Sequence, residues 1–243
     1  MKQRFFEITE NTALTSNVYR MRLAGDTEDI RAGQFVNILI DGLYLRRPIS
    51  VCDCTDGELT IIYKVVGKGT EKMAQMTCGK LDILTGLGNG YDLSTAGDKP
   101  LLLGGGVGVP PLYMLAKKLI GEGKQVSVVL GFNTKDEIFY ENEFKELGAD
   151  VYVTTVDGSY GIKGFVTDAM KNIEYTYFYT CGPEPMLKAI YNASATEGQL
   201  SFEERMGCGF GACMGCSCKT IYGNKRICKD GPVLRKEEIL WQK

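Results

Sequence analysis

The stretch LLLGGGVGVPPLYML, residues 101–115, contains the pattern that decides the fold of this chain. A short apolar run leads into contiguous glycines and two prolines, which is typical of a buried strand, a tight turn and a helix that begins near Pro110 and Pro111. The apolar positions that follow share one helical face: Leu112, Leu115, Ala116 and Leu119. A strand that passes through glycines into a helix is the first unit of an α/β sheet.

The sequence after this stretch repeats the same alternation. Segments typical of strands, such as VSVVLGF, DVYVTTV and YTYFYT, alternate with segments of helical length as far as residue 198. We therefore predict a parallel-sheet domain with right-handed crossovers over residues 97–198.

The sequence before this stretch has a different pattern. Residues 1–96 contain short, often alternating apolar runs separated by glycine- and aspartate-containing turns, which predicts an antiparallel sheet closed into a small barrel. Residues 199–243 are too few for a substantial core and would need a metal to hold them together. The predicted fold class is thus a β-barrel plus an α/β domain, with a small carboxy-terminal metal domain.

Composition excludes several classes of function. With 44% hydrophobic and 24% charged residues in 243, the chain can bury real cores, and 28 basic against 30 acidic residues favour neither nucleic acid nor an anionic membrane as a partner. There is no histidine, so no Ser-His-Asp triad and no histidine-ligated zinc or haem can form. Because the first ten residues carry charges where a signal peptide is apolar, we expect a cytoplasmic protein without a membrane span.

The cysteines are the strongest chemical signal. Five of the nine lie in the last fifth of the chain, and four of these have the spacing C-x4-C-x2-C-x11-C: Cys208, Cys213, Cys216 and Cys228. The first three follow the spacing of plant-type [2Fe–2S] sites, and the interleaved glycines would let backbone N–H groups approach the cluster. A structural zinc site with four cysteine ligands is the alternative, and Cys218 could compete with Cys228 as the fourth ligand.

Two glycine-containing turns are candidates for nucleotide binding. The first follows the strand LLL, and its candidate residues are Gly104, Gly105, Gly106, Val107 and Gly108. The second follows YTYFYT, and its candidate residues are Cys181, Gly182 and Pro183. Because ligands of open parallel sheets bind beyond the carboxyl ends of the strands, we expect both turns to face one crevice. A glycine-rich packing turn and a buried thiol beside a proline-initiated helix are the alternatives.

The barrel region contributes LRRPISV, residues 45–51, and IYKVVGKGT, residues 62–70. An arginine beside a strand can pair with a pyrophosphate, and Ser50 or a backbone amide can hydrogen-bond a flavin ring. A surface arginine pair at a strand end is the alternative.

Together, and in this order, RPIS, YKVVGKGT, GGGVGVPPLY, CGPEPML and CGFGACMGCSC with CKDGPV resemble the ferredoxin–NADP reductase superfamily. Within it the chain resembles most closely the electron transfer subunits of NAD-dependent class B dihydroorotate dehydrogenases. The resemblance covers essentially the whole chain. It implies an FAD-binding barrel over residues 1–96, an NAD-binding domain over residues 97–198 and a [2Fe–2S] domain over residues 199–243.

The resemblance also assigns roles to residues. The residues implied for FAD are Arg47, Pro48, Ile49, Ser50, Tyr63, Lys64, Val65, Val66, Gly69 and Thr70. The two glycine-containing turns would bind NAD and the four spaced cysteines would hold the cluster. Ile49 stands where the superfamily often has an aromatic residue that stacks on the flavin, so stacking would come from elsewhere, such as Tyr63 or Tyr44.

The implied activity is that of an oxidoreductase subunit in pyrimidine biosynthesis. Electrons from an FMN-containing catalytic subunit, in a heterotetramer of two copies each, would pass through the cluster and FAD to NAD⁺. The segment NTKDE, residues 133–137, has one lysine beside two acids, which favours NAD over NADP, although Lys135 alone could serve a 2′-phosphate.

Two other functions remain open from the sequence. One is an NAD(P)H:ferredoxin or sulfide-linked oxidoreductase subunit on the same scaffold. The other, from a different class, is a redox-sensing or zinc-binding module without enzymatic activity.

Overall fold

The structure of the chain is a computed structural model that describes residues 1–241. Its first part is a closed barrel of six antiparallel strands in the order β1-β2-β5-β4-β3-β6. The strands are β1 (Lys2–Ala13), β2 (Val18–Ala24), β3 (Phe35–Ile38), β4 (Arg47–Thr55), β5 (Glu58–Lys64) and β6 (Lys80–Leu87), with helix α1 (Lys68–Ala74) before β6. Alternate residues of β1 and β6 are buried, as the alternating apolar runs predict.

The second part is a sheet of seven strands in the order β10-β9-β8-β7-β11-β12-β15. Its strands are β7 (Pro100–Gly105), β8 (Ser127–Phe132), β9 (Asp150–Thr155), β10 (Ile162–Lys163), β11 (Tyr177–Cys181), β12 (Gly198–Ser201) and β15 (Val233–Arg235). The crossover helices are α2 (Tyr113–Gly121), α3 (Glu141–Glu146), α4 (Val166–Met170) and α5 (Glu184–Ala193). Every residue of β7 is buried because helices cover both faces of the sheet. The predicted barrel and parallel sheet are both confirmed.

Helix α2 begins three residues later than predicted. Gly106–Gly108 and Pro110–Leu112 form two short 3₁₀ turns, and the α-helix follows from Tyr113. Gly106 has a φ of +53°, which turns the chain out of the strand, and the two prolines cannot donate the N–H groups of a regular first turn. The predicted apolar face is buried at Leu115 and Leu119.

The carboxy-terminal part contains a hairpin of β13 (Ser217–Thr220) and β14 (Gly223–Arg226), helix α6 (Ile227–Asp230) and strand β15. Strand β15 runs antiparallel to β12 at the edge of the large sheet. Leu234 and Ile227 are buried in one cluster with Phe178 and Leu200 of that sheet. The segment therefore takes its support from the sheet as well as from its cysteines, whereas the sequence alone predicted a metal as its support. The predicted domain boundaries at 96 and 198 stay predictions.

No helix within residues 1–241 is long and apolar enough to cross a membrane.

Candidate functional site

A cleft of about 520 Å³ lies beyond the carboxyl ends of the parallel strands. Strands β7, β8, β9 and β11 each contribute a residue at or just after their last position. Six of the eight residues predicted for the two glycine-containing turns line it: Gly105, Gly106, Val107, Gly108, Gly182 and Pro183. We call this space the nucleotide cleft. Its position is the one that the strand order predicts for a ligand of an α/β sheet.

The two glycine-containing turns touch each other at the floor of the nucleotide cleft. A side chain at Gly108 would overlap the carbonyl of Cys181 and approach the Cα of Gly182 to 2.6 Å. A side chain at Gly105 would lie 3.3 Å from Pro183 and would overlap Met186. Glycine is required at position 108 because the backbones of the two turns pack directly on each other there, whereas at position 105 the space is taken by the side chains of Pro183 and Met186.

The other two predicted residues, Gly104 and Cys181, lie within strands β7 and β11. Gly104 is buried in β7, where an added Cβ would come within 2.9 Å of Val109. Burial raises the pKa of the Cys181 thiol to about 12, so this group is neutral at pH 7. Neither of them lines the nucleotide cleft.

The residues of the nucleotide cleft that the sequence did not single out include Thr154, Phe165 and Glu203. Thr154 is fully buried, and its Oγ1 has no hydrogen-bond partner within residues 1–241. Such a hydroxyl fits a polar ligand, so the residues present are suited to a nucleotide. The Glu137 carboxylate is held at the cleft wall, where Oε2 accepts hydrogen bonds from the backbone N–H of Asn133 at 3.1 Å and from its Nδ2 at 2.9 Å. A polar residue at the end of a buried strand is the signal that could have identified Thr154.

A second cleft, of about 570 Å³, separates the barrel from the carboxy-terminal part. We call it the barrel cleft. It is lined by residues 45–48 on one side and by residues 203–206 on the other. Glu203 lines both clefts, so the two spaces adjoin at this side chain.

The residues of the barrel cleft fit an anionic cofactor. The Arg47 guanidinium lies against the backbone of Gly69, where any side chain would overlap it. No carboxylate within residues 1–241 forms an ion pair with Arg47. Its Nη1 donates hydrogen bonds to the backbone carbonyls of Leu45 and Arg46, and its charge, which no carboxylate in this part of the chain neutralises, is suited to pair with a pyrophosphate. The Oγ1 of Thr70 accepts a hydrogen bond from the backbone N–H of Val66 at 2.9 Å and orders the neighbouring turn.

The structure separates six of the ten residues implied for FAD into three groups. Arg47, Pro48, Ile49 and Ser50 lie half-buried at the start of β4. Lys64 lines the nucleotide cleft instead. The Tyr63 side chain is 2% exposed, stacks on Tyr19 and donates a hydrogen bond to Asn11 Oδ1 at 3.0 Å, so its ring belongs to the barrel core. Tyr44, the other candidate for stacking, is 99% exposed beside the barrel cleft.

The four spaced cysteines occupy one region and associate in two pairs. Cys208 and Cys213 form one pair, and the backbone N–H groups of Ala212 and Cys213 lie 3.3 Å and 3.5 Å from the Sγ of Cys208. Cys216 and Cys228 form the other, and the N–H of Cys228 lies 3.4 Å from the Sγ of Cys216. No three side chains of His, Cys, Asp or Glu within residues 1–241 form a group that could hold a single metal ion.

The two pairs differ electrostatically. Burial opposes the ionisation of Cys208. Its thiolate is stabilised by hydrogen bonds from the backbone N–H groups of Cys213, Phe210 and Ala212 and from the Cys213 thiol. Together these bonds outweigh burial and lower the pKa of Cys208 to about 6. Burial, together with the neighbouring thiols of Cys216 and Cys208, raises the pKa of Cys228 to about 12. A [2Fe–2S] cluster needs two ligands for each of two irons, so two thiol pairs with inward N–H groups fit this group.

Cys218 lies outside the two pairs. Its Sγ is 3.6 Å from the carbonyl oxygen of Lys219 on β13. Burial, followed by the carboxylates of Glu204 and Glu184, raises its pKa. Its hydrogen bond is thus made to a backbone carbonyl rather than to one of the four spaced cysteines.

Comparison with known proteins agrees with this arrangement. Residues 203–240 match the family model of the iron-sulfur cluster binding domain of dihydroorotate dehydrogenase B, and residues 102–192 match the oxidoreductase NAD-binding domain. The chain is 46% identical to the dihydroorotate dehydrogenase B (NAD(+)) electron transfer subunit of Fusobacterium nucleatum, with 96% of each chain covered. It is 44% identical to the subunit of that name from Geobacillus sp., with 99% of each covered.

Solved structures show the same fold. An NADH-dependent reduced ferredoxin-NADP oxidoreductase is 32% identical with a TM-score of 0.88, covering 97% of this chain and 90% of the other. A ferredoxin NADP⁺ reductase from Neisseria gonorrhoeae is 17% identical with a TM-score of 0.68, covering 79% of this chain and 90% of the other, and supports the fold alone. On the strength of its full-length relatives, the chain belongs to the family of dihydroorotate dehydrogenase B (NAD(+)) electron transfer subunits.

Proposed function

We propose that this chain is an oxidoreductase subunit that couples dihydroorotate oxidation on a partner subunit to the reduction of NAD⁺, in pyrimidine biosynthesis. The observation that carries the proposal is the contiguity of three binding regions in one chain. The nucleotide cleft and the barrel cleft adjoin at Glu203, and residues 203–206 of the barrel cleft lead directly to Cys208. Electrons could therefore cross the chain without leaving it.

Each of the three regions supplies the side chains or backbone groups that one of the three cofactors requires. Arg47 and the half-buried residues after it would hold FAD, with Gly69 leaving room for the guanidinium and Thr70 ordering the turn. The turns around Gly108 and Gly182 would hold NAD, and the two cysteine pairs would hold the [2Fe–2S] cluster. When bound, the cluster exchanges single electrons and the flavin exchanges a hydride with NAD. The chain's own contribution is binding, orientation and electrostatic tuning.

The partner that we propose is an FMN-containing catalytic subunit, in an assembly of two copies of each. The proposal of a partner subunit is supported by an exposed apolar surface beside the cysteines. In this surface Phe210 is 43%, Met214 is 51% and Tyr222 is 71% exposed. The location that we propose is the cytoplasm, because none of the nine cysteines, all of which lie within residues 1–241, is joined in a disulfide.

A second candidate uses the same scaffold with a different partner. The similarity over nearly the whole chain to an NADH-dependent reduced ferredoxin-NADP oxidoreductase favours an NAD(P)H:ferredoxin-type subunit. The identity of the co-purifying protein separates the two candidates. An FMN protein that oxidises dihydroorotate supports the first, and a ferredoxin or a larger flavoprotein supports the second.

An anaerobic visible spectrum of the purified chain before and after NADH tests the proposal. We expect flavin and iron–sulfur absorption that is bleached by NADH. A colourless protein, or one whose thiols oxidise reversibly without flavin turnover, would contradict it and favour a zinc-binding or redox-sensing module.

A further inference from the structure

The side chain of Asn37 lies where the barrel meets the cysteine loop, which we define as residues 207–216. Asn37 is on β3, is 1% exposed and stands opposite Pro48 of β4. Its Nδ2 donates a hydrogen bond to the backbone carbonyl of Cys208 at 3.2 Å. In the part of the chain that the structure describes, no other barrel side chain hydrogen-bonds the cysteine loop.

The barrel side of this contact is rigid. The backbone carbonyl of Asn37 accepts a hydrogen bond from Arg46 Nη1 at 3.2 Å. Two further bonds join the guanidinium of Arg46 to Asp82 Oδ1, each at 3.0 Å. Both side chains are largely buried, which strengthens the pair and fixes the strand that carries Asn37.

The loop side of the contact is fitted closely to the amide. Gly209 has a φ of +78°, and a Cβ on it would lie 3.2 Å from Cγ of Asn37 and would overlap Nδ2. Only glycine lets the loop approach this near. The far side of the loop is held separately, by Arg226 Nη1, which donates to the carbonyl of Gly211 at 2.9 Å.

We propose that Asn37 is a positioning residue, which fixes the cysteine loop against the flavin-binding barrel and thereby sets the spacing for electron exchange between the cluster and FAD. The inference rests on the proposed function. Asn37 touches the main chain of Cys208 rather than its sulfur, so it acts through the loop and is not a ligand. Because electron transfer slows steeply with distance, a loosened loop should affect this step more than hydride exchange with NAD.

The test compares Asn37→Asp, which keeps the shape and removes the donor, with Asn89→Asp as the matched control. Asn89 Nδ2 donates to the carbonyls of Val233 at 2.7 Å and Asp230 at 3.4 Å, so the control also removes side-chain amide hydrogen bonds to the carboxy-terminal part, but outside the cysteine loop. Gly209→Ala disturbs the same contact from the opposite side. Iron and flavin content, the electron paramagnetic resonance spectrum of the reduced cluster and stopped-flow reduction by NADH are measured on the holoprotein.

We expect Asn37→Asp and Gly209→Ala to reduce flavin at nearly the wild-type rate. Cluster reduction should slow by about tenfold or more, with an altered cluster spectrum, and the effects of Asn37→Asp and Gly209→Ala should not add in the double variant. Loss of iron from Asn37→Asp and Gly209→Ala, with FAD retained, supports the same role if Asn89→Asp keeps its iron. Wild-type spectra and rates in both variants overturn the inference, as does loss of FAD from both, because Asn37 would then support only the barrel. A wild-type chain without iron or flavin would instead refute the proposed function.

Discussion

The carboxylate of Glu137 is fixed in the nucleotide cleft by both N–H groups of Asn133, so it cannot easily turn away from a bound ligand. The 2′-phosphate of NADP would bring up to two negative charges to this region, whereas the 2′-hydroxyl of NAD brings none. A fixed carboxylate at this position therefore favours NAD by repulsion of its phosphorylated analogue.

Replacing Glu137 by Gln should shift the preference toward NADPH. We expect the ratio of kcat/KM for NADPH to that for NADH to rise by about tenfold, which corresponds to about 1.4 kcal/mol. The initial rate of flavin reduction as a function of NADPH and of NADH concentration is the measurement. Asp136→Asn is the matched control, because this neighbouring acid is exposed and does not line the cleft. An equal shift in both variants would mean that only overall charge matters.

The assignment of the fourth cluster ligand can be tested by iron content. Cys228→Ser should lose the cluster, because Cys228 is buried and paired with Cys216. Cys218→Ser should keep it, because this thiol lies outside the two cysteine pairs, beside the carbonyl of Lys219 on β13. Iron analysis and the visible spectrum of each variant decide the matter, and the opposite pattern would make Cys218 the ligand.

At the residue scale, the sequence predicts which side chains carry the chemistry better than it predicts which residues contact one another. The cysteine spacing identifies four thiols that the structure brings into one region, because ligands near one another in sequence stay near in space. The roles of Thr154 and Asn37 are not predictable in this way. Asn37 bonds a residue of a distant segment, and Thr154 lies in a cleft that several strands form. In the same way, the alternation of β5 does not reveal that the ring of Tyr63 stacks on Tyr19 inside the barrel.

At the scale of secondary-structure elements, the contact between the two glycine-containing turns determines the shape of the nucleotide cleft. Gly108→Ala would push its Cβ into the carbonyl of Cys181, and the backbone rather than a flexible side chain would have to move. We expect a destabilisation of about 1–3 kcal/mol and a raised KM for NADH, with iron content unchanged.

Gly121→Ala is the matched control for this substitution. Gly121 ends helix α2, has open space where a Cβ would lie and does not have a positive φ. Alanine there should be neutral or stabilise the protein by up to about 1 kcal/mol. Thermal unfolding and NADH kinetics compare the two variants. A Gly108→Ala protein with normal KM would show that the turns can separate without cost.

Elements with a long periodic pattern are predictable, and short edge elements are not. The five longer strands of the barrel and the crossover helices follow from alternation and from helical spacing. Strands β12 and β15 have four and three residues, too few to show a period, and their pairing depends on a vacant sheet edge. The sequence therefore left the docking of the carboxy-terminal part unpredicted.

For the whole molecule, the two supports of the carboxy-terminal part should respond differently to iron removal. The cysteine loop has no regular secondary structure, whereas Leu234 of β15 is buried in the sheet cluster. Iron-depleted protein should show faster amide hydrogen exchange in the cysteine loop, unchanged protection in β15 and normal reduction of FAD by NADH. Exchange that increases equally in both segments would contradict separate supports.

The pairing of β15 with β12 has a further consequence for biosynthesis of the chain. A parallel sheet that ended at β12 would present a row of unpaired N–H and C=O groups to other molecules, and such open edges promote aggregation. The three residues of β15 cover that edge, and they are translated after every cysteine of the cluster site. A chain that ends before β15 therefore leaves this edge open and is prone to aggregate, even where it already contains the four spaced cysteines.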